Sequence, residues 1–393
     1  MVSMTTGTTA TGGDTSGPAA LRVGIVSGSF GAGHDVAARE IAQRLAAVGI
    51  ETDVLDIVDF YPGRLGSVAR AVYYAQMRSA PRTWGWLLRL FDDGSPAQPR
   101  RRPVHRVARR GTAPRPRQRA RWGTRGALWL VAVLGAALRD VVLEHDGVIA
   151  THPFAAQTLG RLRRRGELAW PAATYLTDLS VHRLWVAPGI DAHLALHKVA
   201  AEAAQWHGAE LVRVVRPAVR RSTPPGPVSR PECRRRLGLP DGIPLALVTG
   251  GAEGIGELGR AAEDLLATGL VHPVVLCGRD ETLRARLAGR ADLTALGWVD
   301  DMAVVYAAVD LLVQNAGGST SLEGLEAGLP MLSYRCLPGH GETNAAALDL
   351  AGLAPWVRTP EDLSDAVEAA LARGSSEHLL GGPTCGVRRP MSE

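Results

Sequence analysis

Lysine is nearly absent from this chain: Lys198 stands alone among 44 lysine-plus-arginine residues. Cysteine is scarce too, and the four thiols, Cys233, Cys277, Cys336 and Cys385, fall at no spacing that would ligate a metal or frame a disulfide-stapled domain. That scarcity fits a reducing compartment. No apolar run approaches the ~20 residues that a bilayer-spanning helix needs. The opening stretch, MVSMTTGTTATGGDTSGPAA, has neither a basic start nor an apolar core, so residues 1–20 are expected to be a disordered tail and not a signal peptide. A cytoplasmic protein is the expectation.

What is present is a chain of 393 residues, 46% hydrophobic and 21% charged, long enough for two domains that each bury a core. The net charge of +5 is unevenly placed: residues 99–125 hold 11 arginines and no acid, leaving the remainder net negative. Three roles suit such a strip: a solvated linker, a patch for anionic lipid head groups, or a nucleic-acid arm. The last is set aside, and no nucleic-acid partner is expected. A fourth origin is open, because the arginine-for-lysine bias points to a GC-rich gene: residues 94–140 could come from a shifted reading frame.

Along the chain, LRVGIV (21–26) reads as a buried strand, followed by a glycine-rich turn and a helix with Val36, Ala37, Ile41, Leu45 and Val48 at helical spacing. ETDVLDIVDF then supplies a second strand, which makes a β-turn-α-β opening of a doubly wound sheet. Residues 64–91 read as one or two apolar, arginine-dotted helices, and 127–138 (ALWLVAVLGAAL) as a buried helix or one lying in a membrane interface. DGVIATHPFAAQ, AATYLTDLSVHRLW and ELVRVVRPAV complete a first domain over 21–219. RRSTPPGPVSRPE (220–232) is a linker by its proline and glycine content. A second α/β domain over 233–372 repeats the pattern with PLALVTGG, HPVVLCG, LTALGW, VDLLVQNAGG and LPMLSY, and 373–393 reads as a tail.

Two glycine-rich strand-to-helix turns in the second half suit a phosphate, because amides at a helix start and the helix dipole favour an anion. The first, LVTGGAEGIGELG, carries Gly250, Gly251 and Gly254; no acid follows where a dinucleotide's ribose would need one, so nicotinamide is ranked low. The second, NAGGSTSLEGLE, offers Gly318, the hydroxyls of Ser319, Thr320 and Ser321, and Glu323 on the first turn of the helix. A carboxylate there could take a ribose diol, or could be no more than an acid favoured by the dipole. Together they suggest a nucleoside diphosphate. In the first half, SGSFGAGH places Gly33 and His34 at the mouth of a helix, where an imidazole has the pKa of a general base or could serve only as a structural hydrogen-bonding group.

These motifs carry a resemblance. GWVDDMAVVYAAVDLLVQNAGGSTSLEGLEAGLPMLSY and PGHGETNAAAL, with GGAEGIG before them, resemble the donor domain of glycosyltransferase family 28. SGSFGAGHDVAAR, THPFAAQ and YLTDLSVHRLWVAPGIDAHLAL resemble the monogalactosyldiacylglycerol synthases and processive diacylglycerol glucosyltransferases. The likeness covers 21–92 and about 143–370. It implies a GT-B fold, two Rossmann-like doubly wound α/β domains facing a cleft, with a UDP-hexose in the C-terminal domain and a lipid acceptor on the N-terminal side.

Carried over by resemblance, Gly250, Gly251 and Gly254 cradle the diphosphate, the backbone at Trp298 and Val299 meets uracil, Thr320 a phosphate and Glu323 the ribose. The family's sugar-contacting PGQExxN is here PGHGETN: His340 and Gly341 replace a glutamine and an acid, while Glu342 and Asn344 remain. His34 is the expected base, Asp178 orients or replaces it, and Gly33, His152 and His182 face the acceptor. No metal and no separate cofactor are expected, and the enzyme is expected to rest on an anionic membrane surface at the inner face of the plasma membrane, transferring a hexose with inversion. A different acceptor (a natural product or a polyprenyl-linked sugar), a UDP-sugar epimerase, and an inactive UDP-sugar-binding protein are the alternatives.

Overall fold

A computed structural model describes residues 21–79, 83, 126, 129–131, 133–220 and 228–374. The N-terminal tail, the arginine strip with most of its flanks, residues 221–227 of the linker and the C-terminal tail with Cys385 lie outside the described residues.

The first half contains β1 (Arg22–Ser27), α1 (Ala32–Ala46), β2 (Glu51–Asp56), α2 (Leu65–Ser79), α3 (Leu138–Val142), β3 (Gly147–Ala150), α4 (Pro153–Arg164), β4 (Ala172–Tyr175), β5 (Ala192–Ala195), α5 (Lys198–Trp206) and β6 (Val212–Val214). Its strands form a parallel sheet of order β2-β1-β3-β4-β5-β6. The second half runs α6 (Arg230–Leu237), β7 (Leu245–Thr249), α7 (Leu258–Ala267), β8 (His272–Leu276), α8 (Glu281–Leu287), β9 (Thr294–Leu296), α9 (Met302–Ala308), β10 (Leu311–Gln314), α10 (Ser319–Glu326), β11 (Met331–Ser333), α11 (His340–Leu350) and α12 (Leu363–Arg373). Its parallel order is β11-β10-β7-β8-β9.

Helices cover both faces of each sheet, which is why the central strands read as unbroken apolar runs. All five residues of β7 are buried. In an open parallel sheet, ligands sit where neighbouring strands send their connections to opposite faces, beyond the carboxyl ends. That point falls between β1 and β3 in the first sheet and between β7 and β10 in the second.

The two halves are joined by more than the linker. One apolar cluster takes Ala37, Tyr175, Leu179, Val199, Ala218 and Val219 from the first half and packs them with Leu322, Leu325 and Ala347 of the second. Arg44 donates to the carbonyl of Pro217 at 2.8 Å, and the Ala218 amide donates to the Tyr175 hydroxyl at 2.5 Å, so the chain leaving β6 is held along the seam.

Three sequence expectations need correction here. Val48 belongs to no buried face: α1 ends at Ala46, and Val48 is exposed in the following turn. The 127–138 segment is neither wholly buried nor wholly superficial, since Trp129 and Leu130 are exposed while Leu134 packs against the core and Leu138 is fully buried. The linker expected over 220–232 ends earlier, because Ser229 caps α6 by accepting from the Glu232 amide.

Candidate active site

The β1–β3 crevice builds the first half of the site. Gly28 follows β1 directly, and a Cβ there would lie 2.6 Å from the His152 ring, so any larger residue would have to displace that ring. The turn delivers His34 as the third residue of α1. Its Nδ1 lies 2.8 Å from the Thr151 carbonyl at the end of β3, while the Thr151 hydroxyl donates back to the His34 carbonyl at 3.1 Å. A carbonyl only accepts, so Nδ1 is assigned the hydrogen and Nε2 the lone pair. The Thr177 hydroxyl stands 3.1 Å from the same Nδ1. Burial lowers the His34 pKa, with the Asp178 carboxylate and the Thr151 carbonyl opposing, so the ring is neutral at pH 7.

Around it stand the other acceptor-side candidates. His152 caps α4, its Nδ1 accepting from the Phe154 amide at 3.1 Å. Its ring meets His34 edge-on at 4.6 Å and stacks on Phe30 at 5.4 Å, and burial holds its pKa well below the usual value. His182 packs beside Trp185, is lowered to about 3 chiefly by burial, and keeps a buried Nδ1 without a hydrogen-bond partner. Asp178 is buried and lies beyond Thr177, so its link to His34 passes through that hydroxyl rather than by direct contact. Gly33 lies close against the second half: a Cβ there would stand 3.2 Å from Ser319 Oγ.

The second half departs further from expectation. The amides of Gly251 and Gly254, read as free for a phosphate, are engaged inside their own turn, donating to Thr249 Oγ1 at 3.3 Å and to the Gly251 carbonyl at 3.1 Å. The glycines serve geometry: Gly254 has φ +61° and its Cβ would strike the Cys277 carbonyl at 2.2 Å, and a Cβ on Gly250 would meet the Ile255 carbonyl at the same separation. The second turn keeps more of its capacity. Gly318 precedes α10 with φ +67°, and no side chain caps the helix, so the amides of Ser319, Thr320 and Ser321 have no intrahelical partner. Glu323 sits on the second turn of α10, deeper than the sequence suggested, where it accepts from the Tyr306 hydroxyl at 2.8 Å and burial raises its pKa.

Trp298 is exposed, its Nε1 donating to Asp300 at 2.8 Å, and the Arg279 guanidinium lies 4.0 Å above its ring while pairing with Glu253 of the glycine turn at 3.1 Å. Val299 packs on the core. Glu342 and Asn344, expected to meet the sugar, are committed to the protein. Glu342 accepts from the Gly339 amide at 3.2 Å as the acid of a helix start. Asn344 is buried, its Oδ1 accepting from the Ser180 amide at 3.0 Å and its Nδ2 facing Asp178 Oδ1 and the Ala316 carbonyl at 3.3 Å each. His340 Nε2 lies 3.2 Å from Asn344 Nδ2 and 3.7 Å from Asp178 Oδ1. The reason is the contact between halves: α11 reaches across the cleft onto the loop after β4.

Comparison with known proteins bears on what this arrangement belongs to. A profile described as monogalactosyldiacylglycerol (MGDG) synthase matches residues 129–215. The processive diacylglycerol beta-glucosyltransferase of Bacillus subtilis (strain 168) is 26% identical over 255 residues, 62% of this chain and 65% of that protein. Monogalactosyldiacylglycerol synthase 1, chloroplastic, of Arabidopsis thaliana is 27% identical over 252 residues, 59% of this chain and 46% of that one. The chain is similar to these diacylglycerol glycosyltransferases over part of its length. It spans less than two thirds of the length of either. Among solved structures, the glycotransferase of kitacinnamycin (TM-score 0.52, 18% identity, 90% of this chain and 91% of that) and Medicago truncatula UGT71G1 complexed with UDP-glucose (TM-score 0.52, 12% identity, 92% and 91%) share the fold. The fold is GT-B.

The stretch that matches the synthase profile contains Thr151, His152, Thr177, Asp178 and His182, five residues that surround His34. Thr151, Thr177, Ser180 and Arg279 were not singled out from the sequence. Thr151 and Thr177 stand one position ahead of His152 and Asp178 in THPFAAQ and YLTDLSVHRLW, and that adjacency was the available signal.

Proposed function

We propose that this protein is a glycosyltransferase that moves a hexose from a UDP-sugar to the hydroxyl of a diacylglycerol-type lipid. The observation that carries the reading is His34, neutral, with Nδ1 tied to Thr151 and Nε2 left as the proton acceptor, facing through Gly33 the uncapped start of α10. Nε2 takes the proton of the lipid hydroxyl as its oxygen bonds to the anomeric carbon, and the bond from that carbon to the diphosphate breaks, releasing UDP. The anomeric configuration inverts in this single displacement. The amides of Ser319 and Thr320 and the dipole of α10 receive the charge on the leaving diphosphate, a task that asks for no metal. The uridine lies along Trp298 and Val299, with its ribose toward the end of α10 that carries Glu323, and His340 borders the sugar.

The lipid side is supported by the surface of the first half. Leu65, Val68 and Val72 are exposed along α2, and Trp129 and Leu130 are exposed in the same half, with Arg161 5.9 Å from the Trp129 ring. Apolar side chains beside arginines suit the interface of an anionic bilayer, which supports a peripheral position at the cytoplasmic face of the plasma membrane. Among the described residues no helix is long and apolar enough to cross a membrane.

Incubation of the full chain with labelled UDP-glucose or UDP-galactose and diacylglycerol vesicles, with and without a chelator, is expected to give a glycolipid in both cases. His34→Ala is expected to lower turnover at least about 100-fold with little change in UDP affinity. Near-normal turnover in that variant, or failure of the wild-type protein to bind UDP in calorimetry, removes the reading.

A further inference from the structure

A continuous line of buried polar groups leaves His34 and ends in the other domain. The Thr177 hydroxyl stands 3.1 Å from His34 Nδ1 and 3.5 Å from Asp178 Oδ2. Asp178 Oδ1 then faces Asn344 Nδ2 at 3.3 Å, and Asn344 Nδ2 lies 3.2 Å from His340 Nε2 at the start of α11. Thr177, Asp178 and Asn344 are all at most 5% exposed. Water therefore cannot replace a lost partner cheaply, because a buried polar group left without a partner carries its desolvation cost uncompensated.

The donors converge on Asp178. The Thr177 hydroxyl donates to its Oδ2 and the Asn344 amide donates to its Oδ1. An acceptor beside Nδ1–H, backed by a carboxylate, stabilises the imidazolium that forms when Nε2 takes a proton. Yet Asp178 is held in place partly by Asn344, and Asn344 is anchored by the Ser180 amide at 3.0 Å. The carboxylate's position therefore depends on whether α11 is seated against the first domain.

We infer that Thr177 and Asn344 are positioning residues of one relay, His34–Thr177–Asp178–Asn344, through which the donor domain must close before the base in the acceptor domain reaches full strength. The inference rests on His34 acting as the base. It gives a physical reason for placing the base and the donor on separate domains: an open cleft leaves a weaker base, so an acceptor is not deprotonated before the sugar is present. The titratable groups that face His34 are Asp35 on its own helix, His152 after β3, Asp178 and His182 after β4, and His340 on α11.

Thr177→Val is expected to lower kcat about tenfold and to move the acid limb of the kcat profile down by about 0.5–1 pH unit, because the imidazolium loses an acceptor. Thr177→Ser should restore both. Asn344→Ala should give the same displacement of the limb while UDP affinity, read by calorimetry, stays within about twofold of wild type. The double variant should be no slower than the worse single one, since both cut one chain. Multiplicative losses, or an acid limb that stays in place in either single variant, overturn the relay. Should Thr177→Val fail to fold, Asn344→Ala alone decides. An inactive His34→Ala beside unaffected relay variants leaves the base in place and removes only the relay; an active His34→Ala removes both.

Discussion

The crevice between β1 and β3 and the crevice between β7 and β10 occupy the same place in two sheets of the same design, yet they are built differently. In the first, the glycines make room for rings: Gly28 yields to His152, and the turn ends by presenting an imidazole whose hydrogen bonds come from neighbouring strands. In the second, the glycines make room for backbone: Gly250 and Gly254 yield to carbonyls, and the turn closes on itself. One crevice holds titratable side chains. The other leaves the bare start of α10. The transfer proposed above asks for a proton acceptor on one side and an anion site on the other, and the repeated topology offers an imidazole and a bare helix start by changing what each glycine accommodates.

If that contrast is right, Gly254→Ala should be the more damaging of two matched substitutions. Its φ of +61° and a carbonyl 2.2 Å from the new Cβ leave no relaxed conformation, and a loss of about 3 kcal/mol is expected. Gly28→Ala meets a side-chain ring at 2.6 Å in an ordinary backbone conformation, so a loss nearer about 1.5 kcal/mol is expected. Denaturant titration of the two variants checks the order, and equal losses would erase the distinction.

Acid should separate the halves as well. All four buried histidines among the described residues, His145, His152, His193 and His207, lie in the first half. Burial lowers His193 to about 4 and His152 well below its usual value. Above pH 6.5 the His152 and His193 rings are neutral folded or unfolded and their contribution is complete. As the pH falls toward 4 the unfolded chain takes up protons that the native chain refuses, and stability is lost, by about 2 kcal/mol for one such ring at pH 5. Hydrogen exchange followed from pH 7 to 5 should therefore show protection falling in residues 22–214 before 245–373; simultaneous loss would mean that the seam between the halves overrides the difference.

The smallest effect is expected at Glu342. Its carboxylate accepts from the Gly339 amide, a helix-start role that glutamine largely preserves, so Glu342→Gln should change stability by about 0.5 kcal/mol and donor KM less than twofold. A tenfold rise in KM would return Glu342 to the sugar, as the family motif implies.

The strands were legible because both sheets are buried on two faces, and a run such as LALVT has no other stable use. The glycine turns, His34 and Asp178 were legible because their residue types are uncommon in those settings. Thr177 was not, since a threonine beside an aspartate is ordinary until the start of α1 brings an imidazole to 3.1 Å. Nor was the occupation of Gly251, Gly254 and Asn344: whether an amide is free depends on where the chain turns next, and for Asn344 the partners lie 164 and 166 residues away.

Periodicity and turn chemistry are local, so the order of residues alone was enough to specify two parallel α/β domains and the places where each could hold a ligand. Hydrogen-bond partnership across the seam is not local. It required α11 to reach the loop after β4, and only that packing established which polar groups remain open to a substrate and which hold the two halves of the molecule together.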